Sequence, residues 1–201
     1  MPPSMVVTDL NAPCDAKPAF MGLAGPIVID AGGENFRQRI RSETRSAHDV
    51  VDDEMSLFDL RGSEAYGQFL ARHDHALAVL RSQVRGEDHS DIQAMADRVR
   101  ADLRILGFEH AEVTTSPERL DGFGVSYVLR GSRMGTRVLR ARIGLGLPTQ
   151  YVDFTPSLVW RDFLSELEAY AAEGGEAVQG KIVHAAQRAF EAFGPLQTCQ
   201  A

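Results

Sequence analysis

The sequence predicts an all-α, single-domain helical bundle. Three observations carry that prediction. From Asn35 onward apolar residues recur at three- and four-residue steps. Glycine, proline and small polar residues punctuate those stretches where helices should start and stop. No segment alternates with period two for long enough to require a strand, so six amphipathic helices with short joints must pack on one another. The 201 residues suffice for one domain with its own core.

Residues 1–33 differ from the rest. They hold Pro2, Pro3, Pro13, Pro18 and Pro26, close on Gly32-Gly33, and show no helical period. They read as a flexible arm with one short extended piece at Ile27-Val28-Ile29, and the helical domain occupies residues 34–201. The first helix opens at Asn35, with Phe36, Ile40, Thr44, Ala47 and Val51 on one face. A second is capped by Ser63 and buries Tyr66, Phe69, Leu70, His73, Leu77 and Leu80. A third starts near Asp91, carries Ile92, Met95, Ala96, Val99, Leu103 and Leu106, and ends at Gly107. Ser116-Pro117 signals a fourth, which runs to about Ile143 before Gly144, Gly146 and Pro148. Glu112-Val113-Thr114-Thr115 is too short and polar for a strand. Thr155-Pro156 repeats the start signal for a fifth helix with Val159, Trp160, Phe163, Leu164, Leu167 and Tyr170. Gly174-Gly175 breaks it, and a last helix carries Val178, Ile182, Ala185, Ala189, Phe190 and Phe193 up to Gly194-Pro195.

Composition narrows the function classes. A formal net charge of −7 argues against a generic nucleic-acid binder, which needs a basic face. Cys14 and Cys199 stand alone near opposite ends, without metal-ligand spacing, which suggests a reducing compartment. The longest apolar stretch, residues 20–29, is too short and broken to span a bilayer. The opening Met1-Pro2-Pro3-Ser4 has no basic region of a secretory signal, so the cytoplasm is the expected compartment.

The fourth helix is the most informative. Gly124, Gly131 and Gly135 are separated by seven and four residues and share one line down a helix. Each interior glycine costs roughly 1 kcal/mol relative to alanine, so three cost on the order of 3 kcal/mol. Such a stripe needs a reason: another helix packs very close, the helix kinks at Gly131 and Gly135, or the backbone approaches a ligand. His48 is the second feature. It falls at the edge of the first apolar stripe, one turn after Thr44, where it is either a surface histidine or an axial ligand to iron. His73 lies squarely on its stripe, as a buried histidine satisfied by one hydrogen bond would. His75 faces elsewhere, and His89, His110 and His184 fall at joints or on polar faces. Arg133, Arg137, Arg140 and Arg142 could bind anions, but most of them read as a solvated flank. The sequence lacks the paired Glu-x-x-His of a di-iron bundle, His-Glu-x-x-His, a nucleophile elbow and a phosphate loop.

Together these segments resemble the heme oxygenases. Arg41-Ser-Glu-Thr44-Arg-Ser-Ala-His48-Asp-Val-Val-Asp52 is similar to their first helix, with a threonine one turn ahead of the proximal histidine. Tyr127-Val-Leu-Arg-Gly131-Ser-Arg-Met-Gly135-Thr-Arg-Val-Leu139 resembles their distal helix, in the biliverdin-producing bacterial branch. Trp160-x-x-Phe163 and Ala186-x-x-Ala189-Phe190-x-x-Phe193 follow in the family's order, so the resemblance covers about residues 35–195. It implies a heme oxygenase-like fold and oxidative cleavage of heme to biliverdin, with release of CO and ferrous iron. Heme is then both substrate and cofactor, O2 the oxidant, and an external donor such as ferredoxin or a reductase supplies electrons. A biliverdin-accepting protein is a further implied partner. The resemblance makes His48 the iron ligand and sets Gly131, Ser132 and Gly135 over the other face of the heme. Thr44, Arg41, Tyr127, Met134, Arg161 and Phe190 would line the pocket, the two arginines toward the propionates. Ser132 and Thr136 depart from the animal-type pattern, which has aspartate and glycine there; the bacterial branch often lacks that aspartate. Two readings compete with the enzyme: a non-catalytic heme carrier or sensor, and a heme-free protein whose glycine seam only packs helices. A thiaminase-like bundle needs a cysteine nucleophile on a helix, and this chain's cysteines lie near its ends.

Overall fold

Asn35 starts the first helix as its chemistry requires. Its side-chain oxygen accepts the Gln38 N–H at 3.0 Å, satisfying one donor of the first turn. A computed structural model describes residues 35–109, 118–157 and 159–194. The proposed arm, Cys14, His110, residues 112–115, Ser116-Pro117, Pro195 and Cys199 lie outside the described residues. Helix α1 spans Phe36–Ser56 and buries Phe36, Ile40, Thr44, Val51 and Met55, one turn more of stripe than predicted.

Helix α2, Ser63–Leu80, buries all six residues of its predicted stripe. Gly62, not Ser63, holds the extended cap position, and no side chain bonds to it. Helix α3 spans His89–Ile105 and starts two residues before Asp91, because a short 3-10 turn at Gly86–Asp88 leads directly into it. It ends as predicted. Gly107 adopts φ +77°, which lets the Phe108 N–H reach Leu103 O at 3.0 Å and the Gly107 N–H reach Arg104 O at 3.2 Å.

The segment read as one helix from Ser116 to Ile143 is three pieces among the described residues. Helix α4 is Gly122–Gly131, Ser132–Gly135 form a 3-10 turn, and α5 is Thr136–Arg140. Asp121 provides the start, accepting the Phe123 N–H at 2.9 Å. Helix α6, Trp160–Glu191, also begins later than Thr155-Pro156 suggested. Ser157 gives both its N–H (2.9 Å) and its hydroxyl (3.0 Å) to Asp91 of α3, which holds the chain off the helical path. The predicted break is real: Gly175 sits at φ 62°, ψ −164°, and kinks α6.

The described residues contain no strand, so the all-α class stands. Helices α1 and α4 each lie along α6, and α2 packs on α3. The core follows α6, where Phe163, Leu167, Ile182, Ala186, Ala189 and Phe190 are buried. No described helix is long and apolar enough to cross a membrane.

Candidate functional site

The second half of α6, residues 176–191, is a floor shared by two helices. On one side it anchors α1: Arg39 bonds Glu176 at 2.7 Å and Gln179 at 3.0 Å, and Gln187 donates to the Glu43 carbonyl at 2.9 Å. On the other side it receives α4 at Gly124. A Cβ there would collide with the Ile182 carbonyl and with Ala185, so this glycine is spent on close helix packing. One member of the predicted glycine line therefore has a purely structural reason.

His48 projects from α1 beside that floor. Its side chain is 13% exposed, and its Nδ1 stands 3.5 Å from Asp52 and 3.7 Å from Asp49. Phe190 of α6 meets the imidazole edge-on, with ring centroids 5.6 Å apart. The structure thus brings together two residues that the sequence placed 142 positions apart, His48 and Phe190. A carboxylate one turn along is the usual device for fixing an imidazole's tautomer. With Asp52 on Nδ1, Nε2 is the nitrogen a neutral ring would offer to a metal. Thr44 is buried one turn earlier, and its hydroxyl donates to the Ile40 carbonyl at 2.6 Å. It can contribute a wall, but its proton is committed to its own helix.

Gly131 and Gly135 are both buried, at the end of α4 and the end of the 3-10 turn. Helical geometry changes from α to 3-10 between them. Ser132, buried between them, donates its hydroxyl to the Leu129 carbonyl at 2.7 Å, a local bond within the turn. Tyr127, one turn before Gly131, is buried against Trp160 with centroids 5.7 Å apart. Burial pushes its hydroxyl up to about 12, while Arg41 of α1 is near enough to oppose that rise. Arg41 itself is exposed. Met134 is half-buried. Arg161 stands in solvent, 85% exposed and 3.6 Å from Asp162, and the structure brings it to none of these residues by a direct bond among the described contacts.

His73 behaves as its stripe predicted. It is 2% exposed, its Nδ1 lies 2.9 Å from the Phe69 carbonyl, and Phe69, Tyr151 and Phe193 surround it. Burial lowers it to about 4, so it is neutral at physiological pH. His89 and His184 are exposed, as expected, and His184 bonds Glu118 at 2.9 Å.

Sequence reasoning missed a buried polar frame behind α4. Arg133 is not a solvated flank. It is 8% exposed and donates through Nη2 to the carbonyls of Tyr151 (2.7 Å), Val152 (3.1 Å) and Phe154 (3.0 Å). Arg130, directly before Gly131, bonds Asp88 at 2.7 Å and reaches Asp91 at 3.3 Å. Burial opposes ionisation of Asp88, but hydrogen bonds from Arg85, Ser126 and Arg130 hold its carboxyl below the usual range. Asp102 accepts the N–H groups of Gln150 (3.2 Å) and Tyr151 (2.9 Å). Three aspartates and two arginines therefore fix the 3-10 segment and the loop after it. The only sequence signal for this frame was that Arg130 and Arg133 fall within an otherwise apolar stretch.

No family model matches the chain, and no curated protein or solved structure matches it either.

Proposed function

We propose that the chain is a heme oxygenase, cleaving heme to biliverdin, CO and ferrous iron with O2 and electrons from an external donor. One observation carries this reading above the others: His48, with Asp52 3.5 Å from its Nδ1 and Phe190 edge-on, shares the floor of α6 with a helix that passes into a 3-10 turn between two buried glycines. A single imidazole is a sufficient protein ligand for a metal that brings its own ring of nitrogens. Bound heme would supply both the iron centre and the carbon bridge that is oxidised. His48 would hold that iron, and Asp52 would keep the imidazole in its ligating tautomer. Gly131 and Gly135 would leave the room that side chains would otherwise fill. Arg41 and Arg161 would meet the carboxylates at the heme edge, with Tyr127, Met134 and Phe190 excluding water and Thr44 closing the wall beside His48.

Purified protein titrated with heme should develop a Soret band at one equivalent. Addition of ferredoxin and its reductase in air should then convert heme to biliverdin. A Soret band without conversion would support a heme carrier or sensor, a reading favoured by the Ser132 hydroxyl being bonded to Leu129 rather than left to order water. Absence of any Soret band would leave the glycines to helix packing alone, as at Gly124.

A further inference from the structure

We propose that the cavity between the α4–α5 segment and the chain leading into α6 is a second binding site, for a small aromatic carboxylate. Its volume is about 700 Å³, within the range of pockets that enclose small organic ligands. Met134, Val152, Phe154 and Trp160 give it apolar walls, and no residue of α1 belongs to it. Met134 is the one lining residue it shares with the proposed heme pocket, and the inference does not depend on how His48 is used.

The charged groups in the wall are mainly cationic. Arg130, Arg133 and Arg140 line it against one carboxylate, Asp153. Arg130 is matched from behind by Asp88 and Asp91. Arg133 is locked in place by the Tyr151, Val152 and Phe154 carbonyls, so its guanidinium is a fixed element of the wall. Arg98 adds a further positive charge, 4.5 Å over the Phe154 ring. Arg140 stands at the mouth, half exposed, and pairs with the equally exposed Asp153 at 3.1 Å. Exposed pairs of this kind are weak and exchange readily. Asp153 also accepts the Thr149 hydroxyl at 2.7 Å, so it keeps a partner when Arg140 turns to a ligand. A guanidinium at the mouth selects a planar anion, which it holds bidentately. Walls of Phe154, Trp160 and Met134 select a flat apolar body behind that anion.

The test uses the full-length protein, calorimetry, and the fluorescence of Trp160, the single tryptophan of the chain. The probes are 2-naphthoate and its neutral analogue 2-naphthamide. Saturable binding of 2-naphthoate at one equivalent is expected, with a change in Trp160 emission, and at least tenfold weaker binding of 2-naphthamide. Arg140→Gln should weaken 2-naphthoate by about tenfold, while Asp153→Asn, which frees Arg140 of its competitor, should tighten it. Both residues are exposed, so both variants should fold. Equal affinity for the two probes, or 2-naphthoate affinity unchanged in Arg140→Gln, would overturn the proposal. Loss of 2-naphthoate binding on adding one equivalent of heme would also overturn it, since the cavity would then be part of a heme site.

Discussion

His48 and His73 sit on successive helices, and their surroundings differ in kind. His73 is enclosed by Phe69, Tyr151 and Phe193, with one backbone carbonyl at hydrogen-bonding distance from its Nδ1. His48 meets Phe190 edge-on, has two carboxylates near Nδ1 and keeps 13% of its side chain exposed. An apolar cage with one hydrogen bond makes an imidazole a core piece. A carboxylate near one nitrogen and partial exposure make it a candidate ligand.

The sharpest way to break that contrast is to remove each ring. Losing the carboxylate partner of a metal-bound histidine typically costs roughly 10–100-fold, so losing the ligand should cost on the order of 100-fold or more. His48→Ala should therefore abolish biliverdin formation and shift the ferric spectrum, while leaving the melting temperature nearly unchanged. His73→Ala should do the reverse: about 2–3 kcal/mol of stability lost in denaturant titration, with the spectrum of the folded fraction intact. If His73→Ala changes the iron spectrum and His48→Ala does not, the assignment is inverted.

A parallel contrast runs along α4. Gly124→Ala should destabilise by about 2–3 kcal/mol, because α6 backbone occupies the space its methyl would need. Gly135→Leu should instead damage heme binding more than folding, read as a lost Soret band in a protein that still melts cooperatively. Equal stability losses at both positions would assign the whole glycine line to packing.

Acid titration tests the burial of His73. His73 has its folded value lowered to about 4, beneath the unfolded value near 6.5. Its neutral form thus stabilises the fold fully above pH 6.5, and that contribution is lost as pH falls through 6.5 toward 4. The loss amounts to on the order of 3 kcal/mol. Replacing His73 with Gln should remove this slope from a plot of unfolding free energy against pH. A slope that persists in the variant would assign the acid sensitivity elsewhere. The smallest effect belongs to Asp52→Asn, which should lower heme affinity or turnover about tenfold with stability unchanged; no change would show that Asp52 does not orient His48.

Periodicity made the helices legible. The α2 stripe, the α3 stripe, the Asn35 cap and the turn at Gly107 all follow from local physics, in which a residue's role is decided within one turn of itself. The same locality explains the errors. Thr155-Pro156 is a good helix start in isolation, but Asp91 of α3 takes Ser157 and delays the helix to Trp160. Arg133 looks like a surface residue until the loop at 151–154 folds its carbonyls around it. Of the candidate site, His48 and Phe190 are brought into contact, Arg41 comes near Tyr127, and Arg161 stays in solvent. The polar frame of Asp88, Asp91 and Asp102 could not be read, because apart from Arg85 beside Asp88 the partners named for it lie about forty to fifty residues away in the chain.

The shared floor also sets an order of events during synthesis. Helices α2 and α3 are neighbours in the chain and can pair as soon as both leave the ribosome. Arg39 must wait for Glu176, 137 residues downstream, and Gly124 must wait for Ile182. Until the second half of α6 emerges, α1 and α4 expose their apolar faces with nothing to cover them. The packing of α1 and α4 on the second half of α6 is therefore the last part of the molecule to come into being, and the nascent chain is most dependent on chaperones just before it does.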